Sequence, residues 1–322
     1  METRTLGRTT LTVSRVALGT MTFGAQVDEA AAASMVACGL DRGLNFIDTA
    51  NAYTAGRSEE ILGTVLRGRR DRVVLATKVG IKVGDGPDES GLSRAAIQKG
   101  IEDSLRRLRT DYVDLYYLHQ PDYAVRPEES LEAMDRLRRA GKVRFLGASN
   151  YAGWQVCRLL WLAEKNGWHP VSVVQPVYNL LARGIEQEFL PMCRELGLAP
   201  VAYNPLAGGL LTGKHRADAP VAGSRFETTP VYRDRYWHRA NFEAVGELSA
   251  LARAAGRSPV SLALGWLLHH AGVDAVILGA SCLEQLRQNL AAADDGPLPA
   301  ELVTACDKAW AALRGVSPAY NR

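Results

Sequence analysis

Four polar side chains lie where short apolar runs of this sequence end, and together they could carry out the reduction of a carbonyl group. Asp48 and Lys78 each close one run. Tyr53 follows the first run after a short turn, and His119 closes a third run. A phenol, an ammonium, a carboxylate and an imidazole at one place could protonate an oxygen while a hydride reaches its carbon. Because no side chain donates a hydride, this chemistry requires a bound nicotinamide.

The four side chains suggest a division of roles. Tyr53 is the natural proton donor, although a free phenol has a pKa of about 10. A nearby Lys78 would favour the phenolate and lower that pKa, and Asp48 could pair with Lys78 and fix its position. His119 could orient the carbonyl oxygen through a hydrogen bond. Taken singly, each residue also has a structural explanation, as a cap, a packed ring, a surface cation or a core histidine. Their common position at strand ends favours a catalytic site.

Strand-length runs rich in β-branched residues and leucine alternate with helix-period segments along almost the whole chain. The runs are Val16–Leu18, Asn45–Ile47, Val73–Ala76, Val113–Leu118, Val143–Gly147, Val171–Val174, Ala199–Tyr203 and Ala275–Leu278. Eight such units favour the α/β class and a closed (β/α)8 TIM barrel over a doubly wound sheet. No GxGxxG follows the first run, so the fingerprint of a Rossmann fold is missing. We therefore predict a single barrel domain over residues 1–322, with the polar side chains on its carboxyl-terminal face.

Two segments extend beyond the bare barrel. Residues 2–14 have the pattern of a short hairpin that turns at Gly7 and could close the bottom of the barrel. Residues 207–238 form a long loop with glycine, proline and arginine after the seventh strand, and long loops on this face usually bind ligands. Among the helices, one is expected to begin at the N-cap Ser93 and another to end at Gly167.

The composition argues against several classes of partner. The net charge of +3 is small for 322 residues, and lysine and arginine do not cluster with aromatic residues, so no nucleic-acid surface is predicted. The five cysteines are far apart and lack CxxC or histidine-rich spacing, which predicts neither a disulfide framework nor a metal site. There is no signal-peptide pattern and no run of transmembrane length, so we expect a cytoplasmic protein with no membrane partner.

Two features could bind the phosphates of a nucleotide. Ser281 and Glu284 have capping-box spacing at the start of a helix after the eighth strand, and a helix amino terminus offers free N–H groups to an anion. The glycine-rich segment 207–214 could let the backbone approach a pyrophosphate, with Lys214 adding charge. Each feature also has a simpler explanation, a mere helix cap in the first case and a flexible turn in the second.

The segments around the four polar residues resemble the signatures of the aldo-keto reductase superfamily. The segments that carry this likeness are 43–50 with Tyr53 behind it, 76–78 and 118–122. The likeness extends over essentially the whole chain, and its motifs in combination are highly specific. The resemblance implies a barrel enzyme in which Tyr53 is the general acid. The other members of the implied catalytic tetrad are Asp48, Lys78 and His119.

The same resemblance implies a site for NADPH or NADP⁺. The implied contacts to the adenine and its ribose phosphate are Gly279, Ser281, Gln285, Gln288 and Asn289. Those to the nicotinamide are Ser149, Asn150 and Gln175 at the carboxamide and Tyr203 stacked on the ring. Further cofactor contacts are expected from Asp48, Asn204, Leu206, Gly208, Lys214 and Arg225. The basic residue that many relatives carry beside Ser281 to pair a 2′-phosphate is missing, so Lys214 or Arg225 would supply the charge, and NADH stays an alternative.

Later segments narrow the resemblance to the branch of aflatoxin aldehyde reductases, which also reduces succinic semialdehyde. These segments are 166–168, 203–214, 232–237, 276–279 with 283–286, and 320–322. In that branch, loop and terminal residues contact the carboxylate of an acidic aldehyde, and the matching positions are Tyr232, Arg235 and Arg322. Two guanidinium groups can hold a carboxylate through paired hydrogen bonds. Residues 51–52 and 81–83 depart from the branch pattern, so the pocket wall and the substrate are expected to differ.

The expected function is NADPH-dependent reduction of aldehydes in detoxification. The candidate substrates are small carboxylated aldehydes such as succinic semialdehyde, aromatic aldehydes and reactive dicarbonyls. Members of the branch are commonly dimers, so a homodimer is expected by analogy. One alternative is an NADPH-binding module like the channel β subunits of the superfamily, which act mainly through a partner. Another is a lyase that uses Lys78 to form a Schiff base. The intact tetrad opposes the first, and the adenine-type segment 279–289 opposes the second.

Overall fold

The chain begins with a short antiparallel hairpin. The computed structural model of the protein describes residues 1–316, and its first strands are β1 (Thr3–Thr5) and β2 (Thr12–Ser14). Gly7 lies in the connection with a φ of 49°, and a Cβ added there would lie 2.9 Å from the carbonyl oxygen of Gly197. Glycine is therefore needed at this turn both for its backbone conformation and for the close approach. The predicted hairpin is confirmed.

Eight parallel strands close into a barrel, one for each predicted run. They are β3 (Val16–Gly19), β4 (Phe46–Asp48), β5 (Val74–Val79), β6 (Val113–Leu118), β7 (Val143–Ser149), β8 (Val171–Gln175), β9 (Ala199–Tyr203) and β10 (Ala275–Gly279). Each strand pairs with the next along the chain, and β10 pairs with β3 to close the ring. The predicted (β/α)8 barrel is confirmed, and several strands extend further toward their carboxyl ends than the runs.

The hairpin closes one end of the barrel. Leu6, Leu11 and Val13 are buried, and they form one apolar cluster with interior side chains of the barrel that include Phe46. Gly7 lies against the backbone of Ala199, the first residue of β9, so the closed end is the amino-terminal one. The opposite, carboxyl-terminal face is left for ligands, as in other barrels of this architecture.

The two-residue period of the strands places the polar side chains together. Alternate residues of a strand face the same side. The interior core includes Phe46 on β4, Ala76 on β5, Val173 on β8 and Val201 on β9. Two residues further along these strands come Asp48, Lys78, Gln175 and Tyr203. Because the strands are parallel, these polar side chains lie at the carboxyl-terminal end of the interior.

Helices surround the barrel. They are α1 (Glu29–Asp41), α2 (Arg57–Val65), α3 (Arg94–Leu108), α4 (Pro127–Arg139), α5 (Gly153–Asn166), α6 (Phe189–Leu196), α7 (Arg225–Thr228), α8 (Pro230–Tyr236), α9 (Arg239–Ala254), α10 (Pro259–His269), α11 (Leu283–Ala293) and α12 (Ala300–Arg314). As predicted, Ser93 caps α3 by accepting a hydrogen bond from the Ala96 amide, and Gly167 ends α5 with a φ of 65°. Within residues 1–316, no helix has the length and apolar character needed to cross a bilayer.

The segment after β9 contains more helix than the predicted loop. A turn over Ala207–Thr212 precedes α7 and α8. Three aromatic rings pack within this segment: the His215 and Phe226 centroids are 4.9 Å apart, and those of Phe226 and Trp237 are 5.0 Å apart. Contacts between rings far apart in sequence fix the segment, and its glycine and proline content gave no sign of them.

The predicted capping box at Ser281 and Glu284 is wrong. Helix α11 begins at Leu283, so Cys282 is the N-cap residue and makes no side-chain cap hydrogen bond. The Ser281 amide and hydroxyl both donate to the Gln285 side-chain oxygen, at 3.1 and 2.9 Å. Because the serine is bound to that amide group, it does not cap the backbone, and the helix terminus remains open to an anion.

Candidate active site

Lys78 lies at the centre of the four predicted side chains. It is fully buried, and its Nζ donates to Asp48 Oδ1, to the Thr49 carbonyl oxygen at 2.7 Å and to the Tyr53 hydroxyl at 3.3 Å. An ammonium has three N–H donors, and here each has an acceptor. The structure therefore brings Asp48, Tyr53 and Lys78 into one hydrogen-bonded group.

The Asp48 carboxylate is held from both sides of the barrel. Its Oδ1 accepts from Lys78 on β5, and its Oδ2 accepts from Gln175 Nε2 on β8 at 2.9 Å. Burial by itself lowers the pKa of Lys78, but Asp48 and Tyr53 raise it above its ordinary value. A buried charge of this kind persists only when it is paired. Lys78 thus remains an ammonium at neutral pH.

Tyr53 reaches Lys78 from a turn with unusual backbone geometry. The turn Tyr53–Gly56 joins the end of the β4 segment to α2, and Thr54 and Ala55 have φ values of 50° and 52°. Burial raises the pKa of the Tyr53 phenol, and this effect outweighs the opposing one of Lys78. Lys78 lowers this pKa, as predicted, but the side chains around the phenol exclude water from the phenolate, so the net pKa lies above its ordinary value.

His119 completes the group just beyond β6. Its side chain is buried, and its ring meets the Tyr53 ring edge-on, with centroids 6.0 Å apart. Burial, together with the charge of Lys78, lowers the pKa of His119 to about 3. Its Nδ1 has no hydrogen-bond partner within the described chain. A neutral imidazole retains one N–H donor, so His119 can donate a hydrogen bond to an oxygen at neutral pH.

The predicted nicotinamide residues lie together on the neighbouring strands. Ser149 Oγ donates to the Gln175 carbonyl oxygen at 3.0 Å, and Asn150 Nδ2 donates to the His119 carbonyl oxygen at 2.9 Å. The Tyr203 hydroxyl donates to Asn150 Oδ1 at 2.7 Å. Asn150 has a φ of 61°, an uncommon conformation that this network holds in place. The network links β6 through β9 around the mouth of the barrel.

The start of the segment after β9 is fixed by Asn204. This residue is buried, has a φ of 62°, and accepts a hydrogen bond from the Gly208 amide at 2.6 Å. Its side chain also donates to the Tyr236 hydroxyl at 3.0 Å. A Cβ on Gly208 would lie 2.7 Å from the Tyr232 ring, so the missing side chain permits the close packing. Leu206 lies between these residues and is partly buried.

A second polar region lies at the start of α11. The Arg225 guanidinium comes so close to Gly279 that a Cβ added there would lie 3.3 Å from its Nη2. Its Nη1 donates to the Tyr232 hydroxyl at 3.1 Å. Arg225 thus lies beside Gly279, the last residue of β10, which precedes the N-cap residue of α11 by three positions. Of the other predicted residues, Lys214 is exposed, Asn289 is buried, and Gln288 is exposed and donates to Glu284.

These two regions fit the two ends of a nicotinamide dinucleotide. The exposed amide of Asn150, with the buried hydroxyl of Ser149 and the buried amide of Gln175, can hydrogen-bond a carboxamide, and Tyr203 offers an aromatic face beside them. The amino terminus of α11, which has no side-chain cap, can bind a phosphate, and Arg225 at Gly279 can bind a second anionic group. Among residues 1–316 no group of three His, Cys, Asp or Glu side chains is placed to hold a metal ion.

Sequence comparison agrees with this geometry. A family model described as the aldo/keto reductase family matches residues 15–311. The chain belongs to this family. It is 41% identical to human aflatoxin B1 aldehyde reductase member 2, over 100% of this chain and 94% of that protein. It is 41% identical to the uncharacterized oxidoreductase YrpG of Bacillus subtilis (strain 168), over 91% of each chain. It is 35% identical to a probable voltage-gated potassium channel subunit beta of Arabidopsis thaliana, over 94% of each chain.

As an aldo/keto reductase, the chain is an oxidoreductase that uses a nicotinamide cofactor. Of the three residues predicted to contact the far end of the substrate, the structure describes two. Tyr232 is buried beneath Arg225, and Arg235 is exposed on α8. Burial by itself lowers the pKa of Arg235, but Tyr203 and Tyr236 raise it above its ordinary value, which shows that the guanidinium lies near both phenols. Arg235 is therefore on the ligand side of the barrel, beside Tyr203. Arg322 lies outside the described residues.

Two residues of the reductase site were not predicted from the sequence. The Thr49 carbonyl holds Lys78, and a backbone oxygen cannot be recognised from residue types. Tyr117 lies below the site, with the Lys78 ammonium 5.9 Å from its ring centroid. Its ring packs where Gly147 lacks a side chain, since a Cβ there would lie 2.3 Å from the ring. The interior position of Tyr117 follows from the two-residue period of β6, so this residue could have been found.

Proposed function

We propose that this protein reduces aldehydes to alcohols with NADPH, and that Tyr53 is the general acid. The observation that carries the proposal is the buried Lys78, whose ammonium binds both the Asp48 carboxylate and the Tyr53 hydroxyl. An ammonium in contact with a phenol stabilises the phenolate that remains after the phenol gives up its proton. A residue that protonates a developing alkoxide needs its own conjugate base to be stabilised in this way.

In the proposed reaction, the bound nicotinamide supplies a hydride to the carbonyl carbon. The Tyr53 hydroxyl transfers its proton to the carbonyl oxygen, so that the C=O bond becomes an alcohol and the phenol becomes a phenolate. Lys78 balances the new negative charge, and Asp48 keeps the ammonium in place. Solvent returns the proton to Tyr53 after the alcohol leaves. Because burial raises the pKa of Tyr53, the phenol is protonated at the start of each cycle.

His119 orients the substrate in this proposal. With a pKa near 3 it is neutral at physiological pH, so it acts as a hydrogen-bond donor and carries no charge. Its ring is edge-on to Tyr53, and this proximity supports a role in which both groups bind the same carbonyl oxygen. A neutral donor suits this role because a second cation next to Lys78 would be unfavourable.

The preference for NADPH is proposed on the position of Arg225. Its guanidinium lies at Gly279, next to the segment that resembles an adenine and ribose phosphate site. A guanidinium can bind a 2′-phosphate through two parallel hydrogen bonds. Lys214, the other candidate from the sequence, is exposed. Arg225 is the residue we assign to the 2′-phosphate.

The proposed substrates are small carboxylated aldehydes such as succinic semialdehyde, aromatic aldehydes and dicarbonyls. The human relative is named for an aldehyde substrate, which supports aldehydes as a class. Arg235 lies near Tyr203 and can bind a carboxylate at the far end of such a substrate. Arg322 is proposed as its partner in the carboxylate site. We further propose a single barrel domain over residues 1–322, a homodimer, and a detoxifying role in the cytoplasm.

The test is a fluorescence titration of the purified protein with NADPH and with NADH, followed by absorbance assays of cofactor oxidation. The aldehydes are 2-nitrobenzaldehyde and succinic semialdehyde. We expect tighter binding of NADPH than of NADH and turnover of both aldehydes. Binding of NADPH without turnover would contradict the proposal and favour a module that acts through a partner. Covalent trapping of a substrate on Lys78 by borohydride, without nicotinamide binding, would favour a Schiff-base lyase.

A further inference from the structure

The turn that carries Tyr53 has a backbone that L-amino acids disfavour. Thr54 and Ala55 both lie in the left-handed region, with φ and ψ of 50° and 45°, and of 52° and 39°. Gly56 follows with a φ of 92°. Two successive non-glycine residues in this region are unusual, and such a conformation persists only where the surrounding structure enforces it. Some contact must therefore hold this turn.

The chain that leads into the turn is not packed against apolar side chains on every side. A cavity of about 330 Å³ lies between the start of this segment, the loop after β5 and helix α3. Asn51, Gly80 and Arg107 are among the residues that line it. The buried Oδ1 of Asn51 has no hydrogen-bond partner within residues 1–316. The cavity reaches Asn51, two residues before the turn, so close packing of apolar side chains does not fix the chain at that point.

A buried ion pair lies directly behind the turn. Glu59, in the first turn of α2, is fully buried. Its Oε2 accepts from Nε and Nη2 of Arg107, both at 2.8 Å, and its Oε1 accepts from the Thr77 hydroxyl at 2.5 Å. Thr77 precedes Lys78 on β5. Glu59 thus ties α2, which begins where the turn ends, to α3 and to the strand that bears the ammonium.

Arg107 also touches the turn itself. A Cβ added to Gly56 would lie 2.9 Å from both Cδ and Nε of Arg107. The arginine side chain therefore packs against Gly56, and the glycine is needed both for its φ and for this contact. The planar guanidinium fixes the direction of the arginine as it binds Glu59. The ion pair and the turn consequently hold one another in position.

The Tyr53 contact is sensitive to small displacements. Its hydroxyl lies 3.3 Å from Lys78 Nζ, slightly beyond the usual N–H···O range. A movement of the turn by a fraction of an ångström would break this contact. From these observations we infer that Glu59 and Arg107 are positioning residues, which hold the Tyr53 turn so that the phenol stays on Lys78. This inference rests on the proposed role of Tyr53 as general acid.

The first test compares Glu59→Gln and Arg107→Lys with the exposed neighbours Glu60→Gln and Arg106→Gln as matched controls. Glu59→Gln keeps the shape and removes the charge, and Arg107→Lys keeps the charge and removes the planar fork. We expect kcat for 2-nitrobenzaldehyde to fall about 10- to 100-fold in Glu59→Gln and in Arg107→Lys, because a displaced Tyr53 hydroxyl transfers its proton slowly. The Kd for NADPH, followed by fluorescence, should stay within about twofold, as should kcat in both controls. An unchanged kcat in Arg107→Lys would overturn the inference, even if Glu59→Gln failed to fold.

The second test asks whether the effect passes through the Tyr53 hydroxyl. Arg107→Lys is introduced into Tyr53→Phe, and the slow residual reduction is measured with excess enzyme in a single turnover. Positioning of the hydroxyl predicts that Arg107→Lys changes this residual rate by less than about twofold. An equal loss in both backgrounds would mean that the ion pair acts on general stability, and would overturn the inference. Wild-type activity in the single variant Tyr53→Phe would instead refute the proposed role of Tyr53 as general acid.

Discussion

The Tyr53 hydroxyl carries the proton of the proposed reaction, so its removal should separate chemistry from binding. Tyr53→Phe keeps the ring that packs against His119 and removes the group bound to Lys78. We expect kcat for aldehyde reduction to fall about 10²- to 10⁴-fold, the usual contribution of general acid catalysis. Fluorescence titration should show the same Kd for NADPH as in the wild type. Aldehyde reduction at the wild-type rate would assign the proton donor elsewhere.

His119 should make stability depend on pH. In the unfolded chain a histidine takes up a proton below about pH 6.5, whereas in the folded protein the pKa of His119 is about 3. Between these values the unfolded state binds more protons, so stability falls as the pH decreases through this window. Each pH unit contributes up to about 1.4 kcal/mol. Urea unfolding of His119→Gln should therefore show a shallower loss of stability from pH 6.5 to 4 than the wild type. Parallel curves for the two proteins would mean that His119 is protonated in the folded state.

At the scale of single residues, the positions of the polar side chains could be predicted from the sequence better than their surroundings and partners. The types and strand-end positions of Asp48, Lys78 and His119 were legible because parallel strands bring their ends together. The net pKa of Tyr53 could not be predicted from the sequence, since it depends on how much water the surrounding chain excludes. Glu59 lies three residues after the turn and its partner Arg107 comes from α3, so only the folded chain shows that the two form an ion pair beside the turn.

The segment after β9 should determine the choice between the two nicotinamide cofactors. Arg225, in α7, is the basic side chain that this segment brings to Gly279. We expect Arg225→Gln to weaken NADPH binding about 10- to 100-fold, as the loss of a charge-assisted hydrogen bond pair predicts, and to leave NADH binding unchanged. Fluorescence titration measures both. Arg233→Gln, an exposed arginine of the same segment, is the control. Equal weakening of both cofactors would place Arg225 at the pyrophosphate and not at the 2′-phosphate.

At the scale of elements, strands were predicted more accurately than the segments between them. All eight barrel strands followed from short apolar runs, because a parallel strand buried on both faces is apolar throughout. The glycine and proline content of residues 207–238 predicts a loop, yet aromatic contacts such as that of Phe226 with Trp237 organise short helices there. At Ser281 the capping-box spacing was present, but the serine bonded to Gln285. The spacing of residues along the chain does not reveal whether a serine side chain will bind a backbone amide or a neighbouring side chain.

The hairpin that closes the barrel should contribute to stability without affecting ligands. Leu6 is fully buried among interior side chains at the end far from Lys78. Leu6→Ala should lower the free energy of unfolding by about 2–5 kcal/mol, because it leaves a cavity in a closed interior. Urea unfolding measures the loss, with the exposed Thr3→Ala as control. The Kd for NADPH should not change. A loss below about 0.5 kcal/mol would show that the hairpin is not part of the cooperative core.

The pairing of β10 with β3 also bears on how the chain is made. Residues 16–19 find their second neighbour only when residues 275–279 have been synthesised, so the ring cannot close on a nascent chain that lacks its last strand. Until then the growing sheet has two free edges, which can pair with strands of other chains. Domains of this size commonly pass through collapsed intermediates that aggregate in this way. Aggregation through these free edges during translation, and premature termination before β10, are thus the points at which the supply of folded protein is most easily lost.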